Sequence, residues 1–111
     1  MPVSPAFRDE VVSILSAACN LRSRPMFGGY GLYSDDVFFA VIDDDRLYFK
    51  IGPENLADYE ALGAEIWVIG TGDVMKNYRE LPSQILQSPA ELSVWIEKSV
   101  AAAINRKKKS R

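Results

Sequence analysis

Residues 25–51 constrain the fold more than any other part of the chain. The segment reads PMFGGYGLYSDDVFFAVIDDDRLYFKI, in which aromatic and β-branched residues are interrupted by short runs of turn-forming residues. This composition predicts β-strands joined by turns at 34–36 and 43–45. Strands joined by such short turns run antiparallel. The segment therefore predicts an antiparallel sheet, in which the wholly apolar residues 37–42 suit a central strand covered on both faces.

Helices are predicted on both sides of this segment. Ser4 and Pro5 suit the N-cap and first position of a helix whose apolar residues recur at helical spacing to about Arg22. Near the other end, residues 88–91 form a capping box with proline at the first helical position. The residues that follow carry an apolar stripe, which predicts a long C-terminal helix.

The middle of the chain completes the pattern. It predicts a helix over 53–63, a hairpin of strands over 65–69 and 74–79, and one turn of helix over 83–86. The resulting order is α-β-β-β-α-β-β-α. This order predicts an α+β fold, a two-layer sandwich of helices on a mainly antiparallel sheet of about five strands. We expect a single domain over residues 1–105.

Charge is distributed unevenly along the chain. All 15 acidic residues precede residue 106, so the body carries a formal charge of −7 and the last six residues carry +5. We predict that 106–111 forms a disordered basic tail. An acidic body argues against a broad nucleic-acid-binding face. Any contact with nucleic acid is therefore expected from the basic tail residues Arg106, Lys107, Lys108, Lys109 and Arg111.

The residue types that usually carry catalysis or bind metals are scarce. Histidine is absent and Cys19 is the one cysteine, which removes Ser-His-Asp and Cys-His pairs and histidine-containing zinc sites. We interpret Cys19 as a small buried residue of the first helix. The aspartates at 43–45 lack the ligand spacing of a calcium loop, and the glycines of FGGYG lack the pattern of a phosphate loop. We therefore expect no enzyme activity, no metal and no cofactor.

Five aromatic residues are candidates for a base-stacking platform: Phe38, Tyr48, Phe49, Trp67 and Trp95. Such platforms need basic neighbours. Arg46 and Lys50 lie nearby in the sequence, but so do the aspartates at 43–45. We therefore predict that most of these aromatic residues belong to the core.

The sequence carries neither a secretory signal nor an apolar run of membrane-spanning length. A single cysteine also suits a reducing compartment. We therefore expect a cytoplasmic protein with no membrane contact.

Two segments, 24–65 and 75–103, carry a more specific pattern. Its clearest pieces are the strand LYFK at 47–50, the helix end YEALG at 59–63, and Tyr78 followed by Leu81-Pro82. The remaining piece is an eight-residue motif, namely Met26, Phe27, Gly28, Gly29, Tyr30, Gly31, Leu32 and Tyr33. Together these pieces resemble the N-terminal domain of the TfoX/Sxy family, the bacterial regulators of natural competence. The resemblance runs in order from about residue 22 to residue 103.

The resemblance implies a two-layer α+β domain without known enzymatic residues. Characterised members promote transcription of DNA-uptake genes together with a cyclic-AMP-responsive activator, and full-length regulators carry a second, helical C-terminal domain. We therefore expect a non-catalytic regulatory or protein-interaction domain whose partner is an unidentified protein, such as the transcription machinery or a second copy. Two alternatives are a nucleic-acid-associated protein that binds through the basic tail and a small-molecule-binding domain with a pocket between sheet and helices.

Overall fold

The computed structural model describes residues 3–26 and 28–109, with the backbone alone for 107–109. This part of the chain forms six strands and four helices. In chain order they are α1 (Pro5–Ser16), β1 (Leu21–Met26), β2 (Gly29–Ser34), β3 (Val37–Asp43), β4 (Arg46–Lys50), α2 (Leu56–Ala61), β5 (Ile66–Val68), β6 (Val74–Glu80), α3 (Ser83–Leu86) and α4 (Pro89–Lys109).

The six strands form one sheet in the order β1-β2-β3-β4-β6-β5, and every neighbouring pair is antiparallel. The predicted α+β fold with an antiparallel sheet is therefore confirmed. The register of β5 with β6 shifts between Ile66 and Trp67. A bulge also interrupts the pairing of β2 with β3, where Leu32 opposes Ala40 but Tyr33 opposes Phe38. Phe39 is the additional residue of this bulge, and an extra residue of this kind bends a strand and increases its twist.

One hydrophobic core joins the sheet to the helices. All four helices contribute buried side chains to it, including Leu15 of α1, Tyr59 of α2, Ile85 of α3 and Ile96 of α4. The strands contribute the opposing layer, in which the rings of Phe39 and Phe49 meet edge to face at 5.2 Å. Because helices from the whole chain share this core with one side of the sheet, the architecture has the two layers that were predicted.

The prediction for the end of the first helix was wrong. Helix α1 ends at Ser16, and the residues predicted to continue it to about Arg22 instead begin strand β1 at Leu21. Leu21 still packs against the core, so its apolar spacing fitted both structures. Pairing with β2 favours the strand, which adds a sixth strand to the expected five or so. Pro25 is tolerated because β1 is the edge strand of the sheet.

Helix α4 begins at Pro89, where the capping box predicted its start. It continues through Lys109, so the backbone at 106–109 is helical although it was predicted to belong to a disordered tail. No glycine or proline interrupts this segment, and cations are favourable at the negative end of a helix dipole. Arg111 of the predicted tail lies outside the described residues. The assignment of 1–105 as one domain stays a prediction.

Candidate binding face

The side of the sheet that faces away from the helices, which we call the outer face, is apolar rather than uniformly polar. It holds a second buried cluster made of Val41, Tyr48, Trp67 and Tyr78. Four partly buried apolar residues pack against this cluster, namely Met26, Phe38, Ile69 and Met75. All of these residues belong to strands or to the loop after β5. A sheet face that contacts only solvent is usually polar, so an aromatic surface of this kind calls for another explanation.

Five side chains form a row across this outer face, which we call the aromatic–basic band: Arg22, Tyr33, Phe38, Lys50 and Tyr78. Arg22 of β1 opposes Tyr33 of β2, which in turn opposes Phe38 of β3. Lys50 of β4 opposes Tyr78 of β6. Directly opposed residues project from the same face of a sheet. The register of three strand pairs therefore places Arg22, Tyr33 and Phe38 side by side, and places Lys50 beside Tyr78.

Ring contacts connect the members of the band. The Tyr33 and Phe38 rings are 5.2 Å apart, and the Phe38 and Tyr78 rings are 6.2 Å apart. The Lys50 ammonium lies 5.3 Å from the Phe38 ring centroid and 5.4 Å from that of Tyr78. Both distances are within the range of cation–π attraction. Lys50 is thereby held between two rings near the middle of the band.

A second cation approaches the band from helix α4. Burial lowers the pKa of Lys50, and the positive charge of Arg106 lowers it further. Burial also raises the pKa of Tyr78 to about 12, against the opposing effect of Arg106. Arg106 therefore acts electrostatically on the same part of the sheet as Lys50. Arg24 adds a further cation on this face, because it opposes Gly31, two residues before Tyr33 on β2.

The other end of the outer face is apolar and acidic. The indole N–H of Trp67 donates a hydrogen bond of 2.9 Å to the carboxylate of Asp43. Trp67 lies on β5 and Asp43 on β3, which are separated in the sheet by β6 and β4, so the sheet must curl to join them. Arg46 is paired there with the carboxylates of Glu65 and Glu80, at 2.9 and 3.2 Å. The acidic side chains at this end are therefore engaged by Arg46 and Trp67, and Lys50 lies at the opposite end of β4.

The eight-residue motif at 26–33 serves to build this face. Gly28 adopts a positive φ of 79° in the turn between β1 and β2, a conformation that glycine adopts without strain. A Cβ on Gly31 would lie 3.0 Å from the Met26 side chain and 3.1 Å from the Phe38 ring. The missing side chain thus leaves room for Phe38 to pack in the band. Phe27 lies outside the described residues.

The structure divides the five candidate aromatic residues between the two faces. Phe38, Tyr48 and Trp67 lie on the outer face, whereas Phe49 and Trp95 pack in the core under the helices. The expectation that most of them are core residues is confirmed, since Tyr48, Phe49 and Trp67 are buried. Sequence reasoning missed Arg22, Tyr33 and Tyr78 as members of the band. Alternation along each strand was the available signal, but it does not show which strands are neighbours.

The structure describes only some of the basic tail residues that were predicted to contact nucleic acid. Arg106 is exposed on α4, and its charge lowers the pKa values of Lys50 and Tyr78, against the effect of burial at Tyr78. The side chains of Lys107, Lys108 and Lys109 lie outside the described residues, as does Arg111. A role of these four residues in binding nucleic acid stays a prediction.

Other candidate sites have fewer features of a binding or catalytic site. Cys19 is partly buried, and burial raises the pKa of its thiol, which disfavours the nucleophilic thiolate. A cleft of about 410 Å³ lies between residues 51–54, which precede α2, and the C-terminal part of α4, and across it Asn105 donates a hydrogen bond to the Glu54 carboxylate. Among the residues that the structure describes, no three His, Cys, Asp or Glu side chains cluster as metal ligands. No helix in the same part of the chain is long and apolar enough to cross a membrane.

Comparison with known proteins identifies relatives of this domain. A family model described as the TfoX N-terminal domain matches residues 13–103, a range that includes all five residues of the band. The DNA transformation protein TfoX1 of Aliivibrio fischeri (strain ATCC 700601 / ES114) is 34% identical to this chain over 81 residues. These residues are 71% of this chain and 39% of TfoX1, so the chain spans about two-fifths of the length of this relative.

Proposed function

Because this chain belongs to the TfoX N-terminal domain family, we propose that it is a non-catalytic interaction domain that regulates competence by binding another protein. The relative is a DNA transformation protein, which supports a role in DNA uptake. The matched part is less than half of that relative, which suits a domain that contributes one binding function. A partner in transcription regulation implies a cytoplasmic location.

One surface of the structure supports protein binding in particular. Strand β5 is at the edge of the sheet, and its residue Val68 opposes Val74 of β6. These two side chains are 51% and 50% exposed, and the neighbouring Ile66 is 37% exposed. A strand at a sheet edge presents backbone N–H and C=O groups that can pair with a strand of another chain. The exposed apolar residues of this hairpin, which we call the β5–β6 edge, suit the buried part of such an interface.

The proposal is tested by genetic complementation in the organism that encodes the chain. We expect deletion of the coding sequence to lower transcription of DNA-uptake genes and the transformation frequency. Wild-type protein should restore both, whereas the double variant V68K/V74K should not. The matched control is V94K, because Val94 is a valine of similar exposure, 48%, on helix α4. Circular dichroism melting should show that both variants are folded.

The two parts of the proposal fail separately. Deletion without effect on transcription or transformation would refute the role in competence. Full restoration by V68K/V74K would refute the β5–β6 edge as the binding surface. Light scattering over a range of protein concentrations shows whether the partner is a second copy. In that case the wild type and V94K should each form a dimer, and V68K/V74K should be a monomer.

A further inference from the structure

We propose that the aromatic–basic band binds single-stranded nucleic acid, with bases stacked on Tyr33 and Phe38 and phosphates held by the cations around them. This site is distinct from the β5–β6 edge and from the predicted basic tail. The inference does not depend on the proposed function, because it rests on a different face of the sheet.

The geometry of the Tyr33 and Phe38 rings is suited to stacking bases. Tyr33 and Phe38 are half-buried, so each ring is supported by the sheet and also reaches solvent. Their ring planes are tilted by only 33° to each other at a centroid distance of 5.2 Å. Proteins that bind single strands stack bases on aromatic side chains of a sheet or groove, with basic residues along the backbone path. Duplex nucleic acid exposes no base faces for such stacking.

The positive charges on and near the outer face are suited to holding phosphates. Arg22, Arg24 and Lys50 belong to the outer face, and Arg106 acts on it from α4. Burial lowers the pKa of Lys50, and the charge of Arg106 lowers it further. A phosphate beside Lys50 would favour its charged form, because an opposite charge offsets the effect of burial. These cations act on one part of the surface although the body of the protein is acidic.

Three carboxylates on or near the outer face have partners of their own, namely Asp36, Glu80 and Asp43. Asp36 is 2.6 Å from Arg22, but both side chains are largely exposed, so the pair is weak and can exchange for a phosphate. Glu80 is paired with Arg46, and Asp43 accepts the hydrogen bond from Trp67. The band extends across five neighbouring strands, a width of about 19 Å at the usual spacing between strands. This width suits a strand of a few nucleotides.

Fluorescence anisotropy on the full chain tests the proposal with two labelled probes. One is a 12-nucleotide oligothymidylate, and the other is an abasic strand with the same number of phosphates. We expect the wild type to bind oligothymidylate at least about tenfold more tightly than the abasic strand, since stacking contributes strongly for each base. Affinity should fall steeply between 50 and 200 mM salt, as phosphate contacts require. Equal affinity for the two probes, or no binding at low salt, would overturn the proposal.

Variants locate the site. We expect Tyr33→Leu and Phe38→Leu each to weaken oligothymidylate binding about tenfold, because leucine keeps the apolar packing but removes the aromatic face. Arg22→Gln should weaken binding to both probes and reduce the salt dependence by about one phosphate contact. Arg8→Gln is its matched control, because Arg8 likewise pairs with a neighbouring carboxylate, Asp9 at 2.7 Å, but lies on α1.

Two further proteins separate this site from the others. A chain truncated after Arg106 should keep its dependence on Tyr33 and Phe38, whereas complete loss of binding would assign the contact to the tail and refute the band. The variant V68K/V74K should bind oligothymidylate as well as wild type does. Retained binding in that variant together with failed complementation would support both sites, and unchanged affinity in Y33L and F38L would refute the band alone.

Discussion

The close approach of Gly29 to strand β3 leads to a quantitative prediction about the glycine motif. A Cβ at this position would overlap the carbonyl oxygen of Ile42, and it would lie 3.1 Å from the Ile42 carbonyl carbon and 3.4 Å from the Asp43 Cα. All three atoms belong to the backbone, so no side-chain rotation can relieve the overlap. The two strands must move apart, and overpacking of this kind costs about 3 kcal/mol of stability.

Two other glycines provide matched controls for Gly29→Ala. Gly28 has a positive φ of 79° and open space around it, so Gly28→Ala should cost about 1 kcal/mol through backbone strain alone. Gly70 has open space and an ordinary φ, so Gly70→Ala should change stability by no more than about 0.5 kcal/mol. The three substitutions add the same methyl group. Differences among them therefore measure the surroundings and not the change in residue type.

Thermal unfolding followed by circular dichroism measures the series. For a chain of 111 residues, 1 kcal/mol corresponds to about 4 °C in melting temperature. We therefore expect Gly29→Ala to lower the melting temperature by about 13 °C and Gly28→Ala by about 4 °C, and Gly70→Ala to change it by about 2 °C or less. If Gly29→Ala is no less stable than Gly70→Ala, the close packing of β2 against β3 at Gly29 is wrong.

Two further predictions concern polar groups that the fold has buried. The Asn55 side chain accepts a hydrogen bond from the Gly52 N–H at 2.8 Å and donates to the Lys50 carbonyl at 3.2 Å. Asn55→Ala should therefore lower the free energy of unfolding, measured in urea, by about 2 kcal/mol. A smaller decrease than in the exposed control Asn20→Ala would contradict this role of Asn55. Burial raises the pKa of Tyr78 to about 12, so the fold favours the neutral phenol, and this contribution is complete below pH 10 and is lost as the pH rises toward 12. Between pH 10 and pH 12 the wild type should lose more stability than Tyr78→Phe, and parallel losses in the two proteins would contradict the assignment.

Local signals predicted most of the elements but not all of their limits. The capping box at 88–91 and the one-turn helix at 83–86 were both located correctly, because caps and prolines act on their immediate neighbours. The end of α1 was missed because Leu21 suits the apolar face of a helix and of a strand equally. Only pairing with β2, which joins residues up to 13 positions apart, distinguishes the two structures.

The composition of the outer face was the largest gap in the sequence analysis. Arg22 had been assigned to the end of a helix, and the acidic body argued against a broad nucleic-acid-binding face. Net charge sums over the whole surface, whereas binding depends on the few charges that the fold brings together. The pairing of acidic residues with Arg46 and Trp67 at one end of the sheet leaves the other end basic.

By itself, the sequence determined the types of the elements, the antiparallel pairing of the strands joined by short turns, and the family. These properties depend on residues close together in the chain, where periodicity, caps and turn residues act. The tertiary structure alone decided that β4 pairs with β6 instead of β5, so that Lys50 opposes Tyr78. It also decided that Arg106 acts on the same end of the sheet. The reason is physical: a side chain shares a face with residues distant in the chain only through the order of the strands, and local patterns do not encode which distant strands become neighbours.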